Sequence, residues 1–221
     1  MKVENKDVNA VFIDVDRTLL SCESFRLFLL KRYFGSDFLK IWNLFISYFL
    51  SRIHFYDISK FKQKSLSIFI GINRLNLEIL GYQFSQTWLL KNIRPGALKC
   101  LNQYKVKGIP IYLATASPIF YIKALANQLE LAGFIATELE YDKNDRFTGK
   151  FIDGECSGIG KAKRIEIFSK NIGIDLKYSL FYSDSYEDLP LLTSVGLPIA
   201  VWPDNNLKEI SIQRGWSIEY W

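Results

Sequence analysis

The chain has 221 residues, a formal net charge of +5 and a hydrophobic fraction of 49%. A chain of this length buries about 70% of the surface that its unfolded form exposes, so we expect one large domain, or a domain with a small insert, that is stable without disulfides. Its lysines and arginines are spread along the sequence, apart from Lys161, Lys163 and Arg164. The positive charge therefore favours an anionic ligand or surface, and we expect no nucleic-acid partner.

The cysteines and the first residues bear on the compartment in which the chain works. Cys22, Cys100 and Cys156 show no Cys-x-x-Cys spacing, which argues against a disulfide framework and against a zinc site. Residues 1–10 are polar and lack the apolar middle of a signal peptide, so nothing in them indicates export. We expect a reduced, cytoplasmic setting, and the oligomeric state is left open.

A short apolar run near the start of the chain ends in two acidic residues. Residues 10–13 are typical of a buried parallel strand, and Asp14 and Asp16 follow at its C-terminal end, where open α/β sheets bind ligands. A buried ionised carboxylate is costly unless a partner offsets its charge, and a divalent cation is the simplest partner. The alternative is a pair of solvated acids with a helix N-cap at Asp16 or Thr18. A calcium loop is excluded because the residues after Asp16 lack further oxygen ligands and a glycine.

Helical patterns follow this motif. Residues 24–50 are unusually apolar, and polar residues recur at three- and four-residue steps from Lys40 to Ser51, which predicts a helix with one narrow polar stripe. Further helical patterns cover residues 58–69 and 75–92, with a break at Gly71, and Arg94-Pro95-Gly96 ends them. We therefore predict one all-helical insert at residues 21–93.

The most apolar part of this insert is residues 38–50. It does not match a membrane span, because Asp37, Lys40 and Arg52 interrupt the roughly 20 apolar residues that a span needs. A helix that is apolar on all sides is most often buried inside the protein. Peripheral contact of this helix with a membrane interface stays open as the alternative.

Strand patterns alternate with helical ones after the insert. Helices are predicted over residues 97–106, 119–131 and 158–171. Strands are predicted over residues 109–114, 134–141, 147–152, 178–182 and 197–201. This alternation calls for a parallel sheet with right-handed crossovers. Residues 1–20 and 94–221 are therefore predicted to form an α/β core.

Polar side chains lie at the ends of three of these strands. Asp14 and Asp16 follow the first, Thr115-Ala116-Ser117 follows the second, and Asp184 and Asp188 follow a third. Because the C-terminal ends of parallel strands lie along one edge of a sheet, these residues should converge on one crevice. Four acids there would repel one another without a cation. Carboxylate oxygens with no histidine beside them suit Mg²⁺.

These segments form four motifs in a fixed order. They are Asp14-x-Asp16-x-Thr18, Thr115-Ala116-Ser117, Lys161 in Gly158-x-x-Lys161, and Asp184-Ser185-x-x-Asp188. In this combination the chain resembles the haloacid dehalogenase superfamily, in the branch that includes phosphoserine phosphatase. The resemblance covers nearly the whole length. It implies a Rossmann-like parallel α/β core with an inserted all-helical cap domain at residues 21–93.

The resemblance also implies roles for the acidic residues. Asp14 would attack phosphorus and form an aspartyl-phosphate. Asp16 would protonate the leaving oxygen and then deprotonate the attacking water, as general acid and then base. The carboxylates of Asp14 and Asp184 and the backbone carbonyl of Asp16 would hold Mg²⁺. Asp188 would support this metal shell from behind or join it.

The remaining motif residues are implied to bind the phosphoryl group. Thr115 and the backbone of Ala116, with Ser117 near, would donate hydrogen bonds to the phosphoryl oxygens, and Lys161 would neutralise charge on the nucleophile and the phosphate. Taken singly, Thr115 could be a helix N-cap, Lys161 a solvated residue of a first helical turn, and Asp188 a helix cap. These alternatives are weaker when the residues are considered together. Simple helix caps would not require the acid pair Asp14 and Asp16 at the end of another strand.

Residues near the nucleophile bear on the substrate. Arg17 stands where the family commonly has glycine or another small residue, so it could narrow the pocket or contact an anionic substrate. Glu23 stands where phosphoserine phosphatases carry a glutamate that meets the substrate ammonium, although it could equally be a helix first-turn charge. The cap arginine that would grip a carboxylate is not evident. Lys60, Lys62 and Lys64 occupy that neighbourhood, and lysine is not equivalent to arginine there.

We therefore predict a Mg²⁺-dependent phosphomonoester hydrolase that acts through an aspartyl-phosphate on a small phosphorylated metabolite, with a phosphoserine-like substrate left open. The alternative is a membrane-peripheral lipid phosphate phosphatase. The apolar residues 38–50 and the tail with Trp216 and Trp221 also resemble a relative that dephosphorylates phosphatidylglycerophosphate. A phosphotransferase and a non-catalytic binding module are alternatives of another class, and the presence of both Asp14 and Asp16 disfavours the binding module.

Overall fold

The computed structural model describes residues 8–33 and 58–221. The strands are β1 (Ala10–Ile13), β2 (Ile111–Pro118), β3 (Gly133–Thr137), β4 (Leu139–Tyr141), β5 (Phe147–Phe151), β6 (Ser179–Ser183), β7 (Leu197–Val201) and β8 (Ser217–Glu219). The α-helices are α1 (Ser24–Tyr33), α2 (Ile58–Leu66), α3 (Arg74–Phe84), α4 (Pro95–Val106), α5 (Ile119–Gln128), α6 (Gly158–Asn171), α7 (Leu189–Leu192) and α8 (Asn205–Arg214). Short turns lie at Val15–Leu19, Ser67–Phe69, Ser85–Leu89, Leu90–Asn92, Leu176–Tyr178 and Tyr186–Asp188.

The main sheet has the strand order β3-β2-β1-β6-β7-β8, and its neighbouring strands are parallel. β1 lies at the centre, with Val11 and Ile13 in one buried hydrophobic cluster and Ala10 and Phe12 in another. A strand with two buried faces needs an unbroken apolar run rather than an alternating one, which is what residues 10–13 supply. The predicted parallel α/β fold is confirmed. β4 and β5 form a separate antiparallel pair.

β2 extends further than its apolar pattern predicts. The predicted strand stops at residue 114, whereas β2 continues to Pro118, because Pro118 pairs with Thr137 of β3 after a shift in register. The Thr115-Ala116-Ser117 motif therefore lies inside the last part of a strand. The motif stands between the paired positions Ala114 and Pro118, where the register with β3 shifts, so pairing on either side of it fixes its place in the sheet.

The C-terminal elements α8 and β8 were not predicted. Asp204 caps α8 by accepting a hydrogen bond from the Leu207 amide, and Gly215 ends the helix with a φ of 67°. β8 then pairs with β7 at the edge of the sheet. The tail also packs against α4, since a Cβ atom placed at Gly96 would lie 2.6 Å from the Cβ of Trp221. Trp221 is therefore part of the packed fold.

The described residues between β1 and β2 are mainly helical. Leu20 and Ile93 form an antiparallel bridge, so the two ends of the predicted insert lie side by side. Phe28 of α1 packs against the rings of Phe69, Phe84, Phe120 and Tyr121, with ring centroids 5.2–5.9 Å apart. These helices consequently share one hydrophobic cluster with the sheet and α5.

The predicted apolar helix at residues 38–50 lies outside the described residues, so its packing against protein or lipid stays a prediction. Within residues 8–33 and 58–221, no helix combines the length and apolar character needed to cross a membrane. The division of the chain into a core at residues 1–20 and 94–221 and a cap at residues 21–93 also stays a prediction.

The close packing of α3 on α5 leads to a stability prediction. A Cβ atom at Gly81 would lie 2.1 Å from the Phe120 carbonyl oxygen, so Gly81→Ala must push the helices apart. Overpacking of this kind costs about 1–3 kcal/mol, and urea unfolding should show a loss of that size. Asn76→Ala, at an exposed position of the same helix, should change the free energy of unfolding by less than about 0.5 kcal/mol. A Gly81→Ala variant as stable as wild type would contradict the packing.

Candidate active site

Asp14 lies at the C-terminal end of β1 and is buried. The pairing of β1 with β6 continues into it, because its backbone amide donates to the Tyr182 carbonyl at 2.9 Å. The Lys161 ammonium, from the first turn of α6, donates to Asp14 Oδ1 at 2.8 Å and lies 2.7 Å from Asp188 Oδ1. Three of the four motifs therefore meet through direct contacts.

Lys161 is only 3% exposed. Burial by itself lowers the pKa of its ammonium, but the carboxylates of Asp14 and Asp188 outweigh that effect and hold the pKa above its ordinary value. Lys161 is thus a fully charged, desolvated cation between two acids. The alternative of a solvated lysine in a first helical turn is wrong.

Asp188 occupies the N-cap position of α7, yet its carboxylate faces the site. Asp188 Oδ2 accepts hydrogen bonds from the Lys161 ammonium at 2.8 Å and from the Ser183 hydroxyl at 2.7 Å. The side chain is therefore committed to Lys161 rather than to the backbone amides of the helix. The alternative role as a simple helix cap is wrong.

Asp184 is buried one residue beyond β6 and contacts the loop that follows β1. The guanidinium of Arg17 places Nε 3.0 Å from Asp184 Oδ2, and the Thr18 hydroxyl lies 3.4 Å from Asp184 Oδ1. Burial and the nearby Asp188 raise the pKa of Asp184 to about 6, and Arg17 and Lys161 oppose the rise. Arg17 adopts a left-handed backbone with a φ of 61°, and Arg94 donates to its carbonyl oxygen at 3.2 Å.

The charges at this edge of the sheet suit a divalent cation. Asp14, Asp184 and Asp188 are buried beside the buried Lys161, while the Arg17 side chain is half exposed. Burial, together with the neighbouring acids, raises the pKa of Asp14, and Lys161 opposes this. Among the described residues, no group of three or more acidic, histidine or cysteine side chains could hold a metal ion by itself. The predicted ligand set needs just two carboxylates and a backbone carbonyl, so these residues fit a hard cation.

The Asp16 carboxylate is held by two other parts of the chain. Oδ1 accepts a hydrogen bond from the Ser24 backbone amide at 2.5 Å, and Oδ2 accepts one from the Ser117 hydroxyl at 2.7 Å. The Ser117 hydroxyl consequently faces Asp16, and its predicted contact with phosphate stays a prediction. Ser24 carried no signal in the sequence, because a serine at the start of a helix is ordinary.

Thr115 is buried within β2, and its Oγ1 accepts a hydrogen bond from the Ser117 backbone amide at 3.1 Å. This contact leaves the hydroxyl proton of Thr115 for another acceptor. Pro118 rather than Thr115 occupies the N-cap of α5, so the helix-cap alternative is wrong. The Ala116 carbonyl is bound as well, since it accepts from the Thr137 hydroxyl at 2.8 Å.

A largely buried ion pair at this site had no signal in the sequence. Lys62 of α2 pairs with Glu155, and its ammonium also donates to the Ala116 carbonyl at 3.3 Å. The two side chains are 13% and 8% exposed. Helix α2 therefore contacts the Thr115-Ala116-Ser117 motif directly. The neighbouring Lys64 is exposed, and the pattern of lysines could not tell the two apart.

Glu23 lies directly before the first residue of α1 and is partly exposed. Its carboxylate is 3.9 Å from the Arg17 guanidinium, which also pairs with Asp184. Arg17 therefore links the predicted substrate-binding glutamate to a predicted metal ligand. The roles of Arg17 and Glu23 in substrate selection stay predictions.

The chain also matches a known protein family over the residues that form this site. A family model described as haloacid dehalogenase-like hydrolase matches residues 11–193, a range that contains all four motifs. The chain belongs to this family of hydrolases.

Individual relatives agree with this assignment. The chain is 30% identical over 162 residues to phosphoserine phosphatase SerB1 of Mycobacterium tuberculosis, covering 73% of this chain and 52% of that one. It is 26% identical over 165 residues to a histidinol-phosphatase of Neisseria meningitidis, covering 73% and 74% of the two chains. The chain thus spans about half the length of the first of these relatives. A crystal structure of a Bordetella pertussis protein of unknown function shares the fold, with a TM-score of 0.83, 24% identity and coverage of 96% and 97%.

The buried lysine leads to a second stability prediction. Lys161→Met leaves Asp14 and Asp188 desolvated without their cation, and breaking a buried pair in this way costs about 3–5 kcal/mol. Urea unfolding at neutral pH should show this loss. Lys161→Met combined with Asp188→Asn should recover part of it, since one of the two charges is removed.

The matched control is Lys163→Met, an exposed lysine on the same helix, which should stay within about 0.5 kcal/mol of wild type. Equal stabilities for Lys161→Met and Lys163→Met would show that Lys161 is not the buried counter-charge of the two acids.

Proposed function

We propose that this protein is a Mg²⁺-dependent phosphomonoester hydrolase that acts through an aspartyl-phosphate on Asp14. The observation that carries the proposal is the buried Asp14 carboxylate at the C-terminal end of the central strand, held 2.8 Å from a charged, buried Lys161. A carboxylate with one oxygen fixed by an ammonium is oriented for attack by the other. Membership of the hydrolase family and the phosphatase names of two relatives support the same chemistry.

The first half of the reaction forms a covalent intermediate. Asp14 Oδ2 attacks phosphorus, the bond from phosphorus to the leaving oxygen breaks, and Asp16 gives that oxygen a proton. Lys161 stays on Asp14 Oδ1 and offsets charge on the carboxylate and on the transferring group. Mg²⁺, held by Asp14, Asp184 and the Asp16 carbonyl, would supply further positive charge at the phosphoryl oxygens.

The second half releases phosphate. Asp16, now a carboxylate, takes a proton from water, and the water oxygen forms the new bond to phosphorus as the bond to Asp14 breaks. The Thr115 hydroxyl and the Ala116 amide are assigned to the phosphoryl oxygens. Thr115 suits this role because the Ser117 amide already fixes its oxygen and leaves its proton to donate.

A small phosphorylated metabolite is the proposed substrate class. Two relatives are named for phosphoserine and histidinol phosphate, which supports a compact phosphate monoester. Glu23 supports an amino-bearing one, because its partly exposed carboxylate would attract an ammonium group. Lys62 supports an anionic group less well, because Glu155 already neutralises it.

The direct test is release of inorganic phosphate from p-nitrophenyl phosphate with Mg²⁺. Wild type should turn over, and Asp14→Asn should lose activity by at least about 10³-fold, because the nucleophile is removed. Asp153→Asn is the matched control, since Asp153 is exposed and its positive φ of 53° suits asparagine. Turnover by Asp14→Asn at the wild-type rate would refute the assignment.

The alternatives are separated by the products. Phosphate transfer to an added alcohol or sugar without phosphate release would identify a phosphotransferase. Binding of a phosphate ester without any turnover by wild type would identify a binding module. A panel containing phosphoserine, histidinol phosphate and lysophospholipid phosphates then tests the substrate class, and preference for the lipids would favour the membrane-peripheral alternative.

Metal dependence gives a prediction with a pH signature. Mg²⁺ at about 100 times its Kd stabilises the folded protein by about 2.7 kcal/mol, which raises the melting temperature of a chain this size by about 5–10 °C. Because the pKa of Asp184 is about 6, a proton competes with the metal at pH 5 and not at pH 7.5. The shift should therefore be larger at pH 7.5.

Asp184→Asn should remove most of the shift at both pH values, while Asp153→Asn should keep it. A shift of equal size at pH 5 and pH 7.5 in the wild type would contradict Asp184 as a metal ligand.

A further inference from the structure

The Asp16 carboxylate, which is assigned to acid–base chemistry, lies at the end of a series of hydrogen-bonded, buried hydroxyl groups, called the hydroxyl chain below. Asp16 Oδ2 accepts from the Ser117 hydroxyl at 2.7 Å, and the hydroxyls of Ser117 and Ser24 are 2.8 Å apart. The Ser24 hydroxyl in turn lies 3.2 Å from the Tyr121 hydroxyl. Ser24, Ser117 and Tyr121 are all 0% exposed. These groups come from α1, β2 and α5, so the contacts join three elements.

The direction of the hydrogen bonds follows from counting protons. A hydroxyl has one proton to donate, and Ser117 donates its proton to the carboxylate of Asp16. The contact between the two serines therefore requires Ser24 to donate to Ser117. The contact between Ser24 and Tyr121 likewise requires Tyr121 to donate. Tyr121 therefore donates to Ser24, Ser24 donates to Ser117, and Ser117 donates to the Asp16 carboxylate.

The surroundings of this chain are apolar. The Tyr121 ring packs against Phe28, Phe84 and Phe120, with centroids 5.9, 5.4 and 5.0 Å away. A phenylalanine at position 121 would fill the same space without a buried hydroxyl to satisfy. Burying a polar group costs free energy unless it is paired, so the hydroxyl of Tyr121 is better explained by its place in the chain than by packing.

The Ser24 backbone adds a second hold on Asp16. Its amide, at the start of α1, donates to Asp16 Oδ1 at 2.5 Å. The N-terminus of a helix favours a negative charge. The two oxygens of Asp16 are thus fixed from two sides, one by a backbone amide and one by the hydroxyl chain.

We propose that Ser24, Ser117 and Tyr121 are positioning residues that hold the Asp16 carboxyl group in line with the leaving oxygen, to which its protonated form gives a proton. The inference rests on the proposed function, because it assigns the positioning of that acid–base group. Tyr121 and Ser24 act through Ser117, because loss of either hydroxyl removes a group that aligns the Ser117 hydroxyl and so loosens the contact of Ser117 with Asp16 Oδ2. The step that suffers is the one in which a poor leaving group needs a proton.

The test compares two aryl phosphates with the same variants. p-Nitrophenolate leaves readily without a proton, whereas the phenolate of phenyl phosphate depends more on the general acid. Tyr121→Phe and Ser24→Ala should lower kcat for phenyl phosphate by about tenfold and kcat for p-nitrophenyl phosphate by about threefold or less, with KM unchanged. The loss is modest because the Ser24 amide and the Ser117 hydroxyl remain. Ser24→Thr, which keeps the hydroxyl, should restore the ratio of the two rates.

Tyr104→Phe is the matched control. It removes the hydroxyl of a buried tyrosine that contacts the Tyr182 hydroxyl at 2.7 Å. This hydroxyl is not part of the hydroxyl chain that ends at Asp16. The ratio of the two rates should stay at the wild-type value in this variant. If Ser24→Ala does not fold, Tyr121→Phe carries the comparison, since it keeps the ring.

The outcomes separate this inference from the proposed function. A wild type that hydrolyses neither ester refutes both. A wild type that hydrolyses both esters, with Tyr121→Phe slowing them equally or not at all, refutes the positioning role alone.

Discussion

The contact of the Lys161 ammonium with Asp14 and Asp188 is the interaction on which the site depends. Desolvating one ammonium and two carboxylates is repaid only when all three are in place. The partners come from the end of β1, the turn before α7 and the first turn of α6. The central sheet and α6 must therefore be correctly packed before this contact forms, and folding the core assembles the site in the same event.

Several residues at this edge of the sheet are in environments or backbone conformations that lower the stability of the folded protein. Asp184 has a raised pKa because it is buried near Asp188, and Arg17 offsets its charge from a strained left-handed backbone position. Unfavourable local features of this kind are expected where a structure is organised around chemistry rather than around maximal stability. The structure concentrates them in the loop after β1 and the turn after β6.

The sheet and the motif residues could be predicted because their signals are local. An unbroken apolar run such as residues 10–13 marks a central strand, and acids directly after it mark the edge where ligands bind. The contacts of Lys62 with Glu155 and of Ser24 with Tyr121 could not be predicted, because they join segments about 90 residues apart or more. Lys62 differs from Lys64 only after the helix is docked. β8 is too short to show a pattern of its own.

The hydrogen bond from the start of α1 to Asp16 has a consequence for how the sequences of related proteins can diverge. The Ser24 contact to Oδ1 uses the backbone amide, which every residue except proline carries. Position 24 can therefore drift through many amino acids and keep this contact, and proline is the replacement it forbids. A helical segment grafted from a relative would keep the hydrogen bond from the backbone amide at position 24. It would lose the hydroxyl contacts with Ser117 and Tyr121 unless position 24 of that segment were serine or threonine.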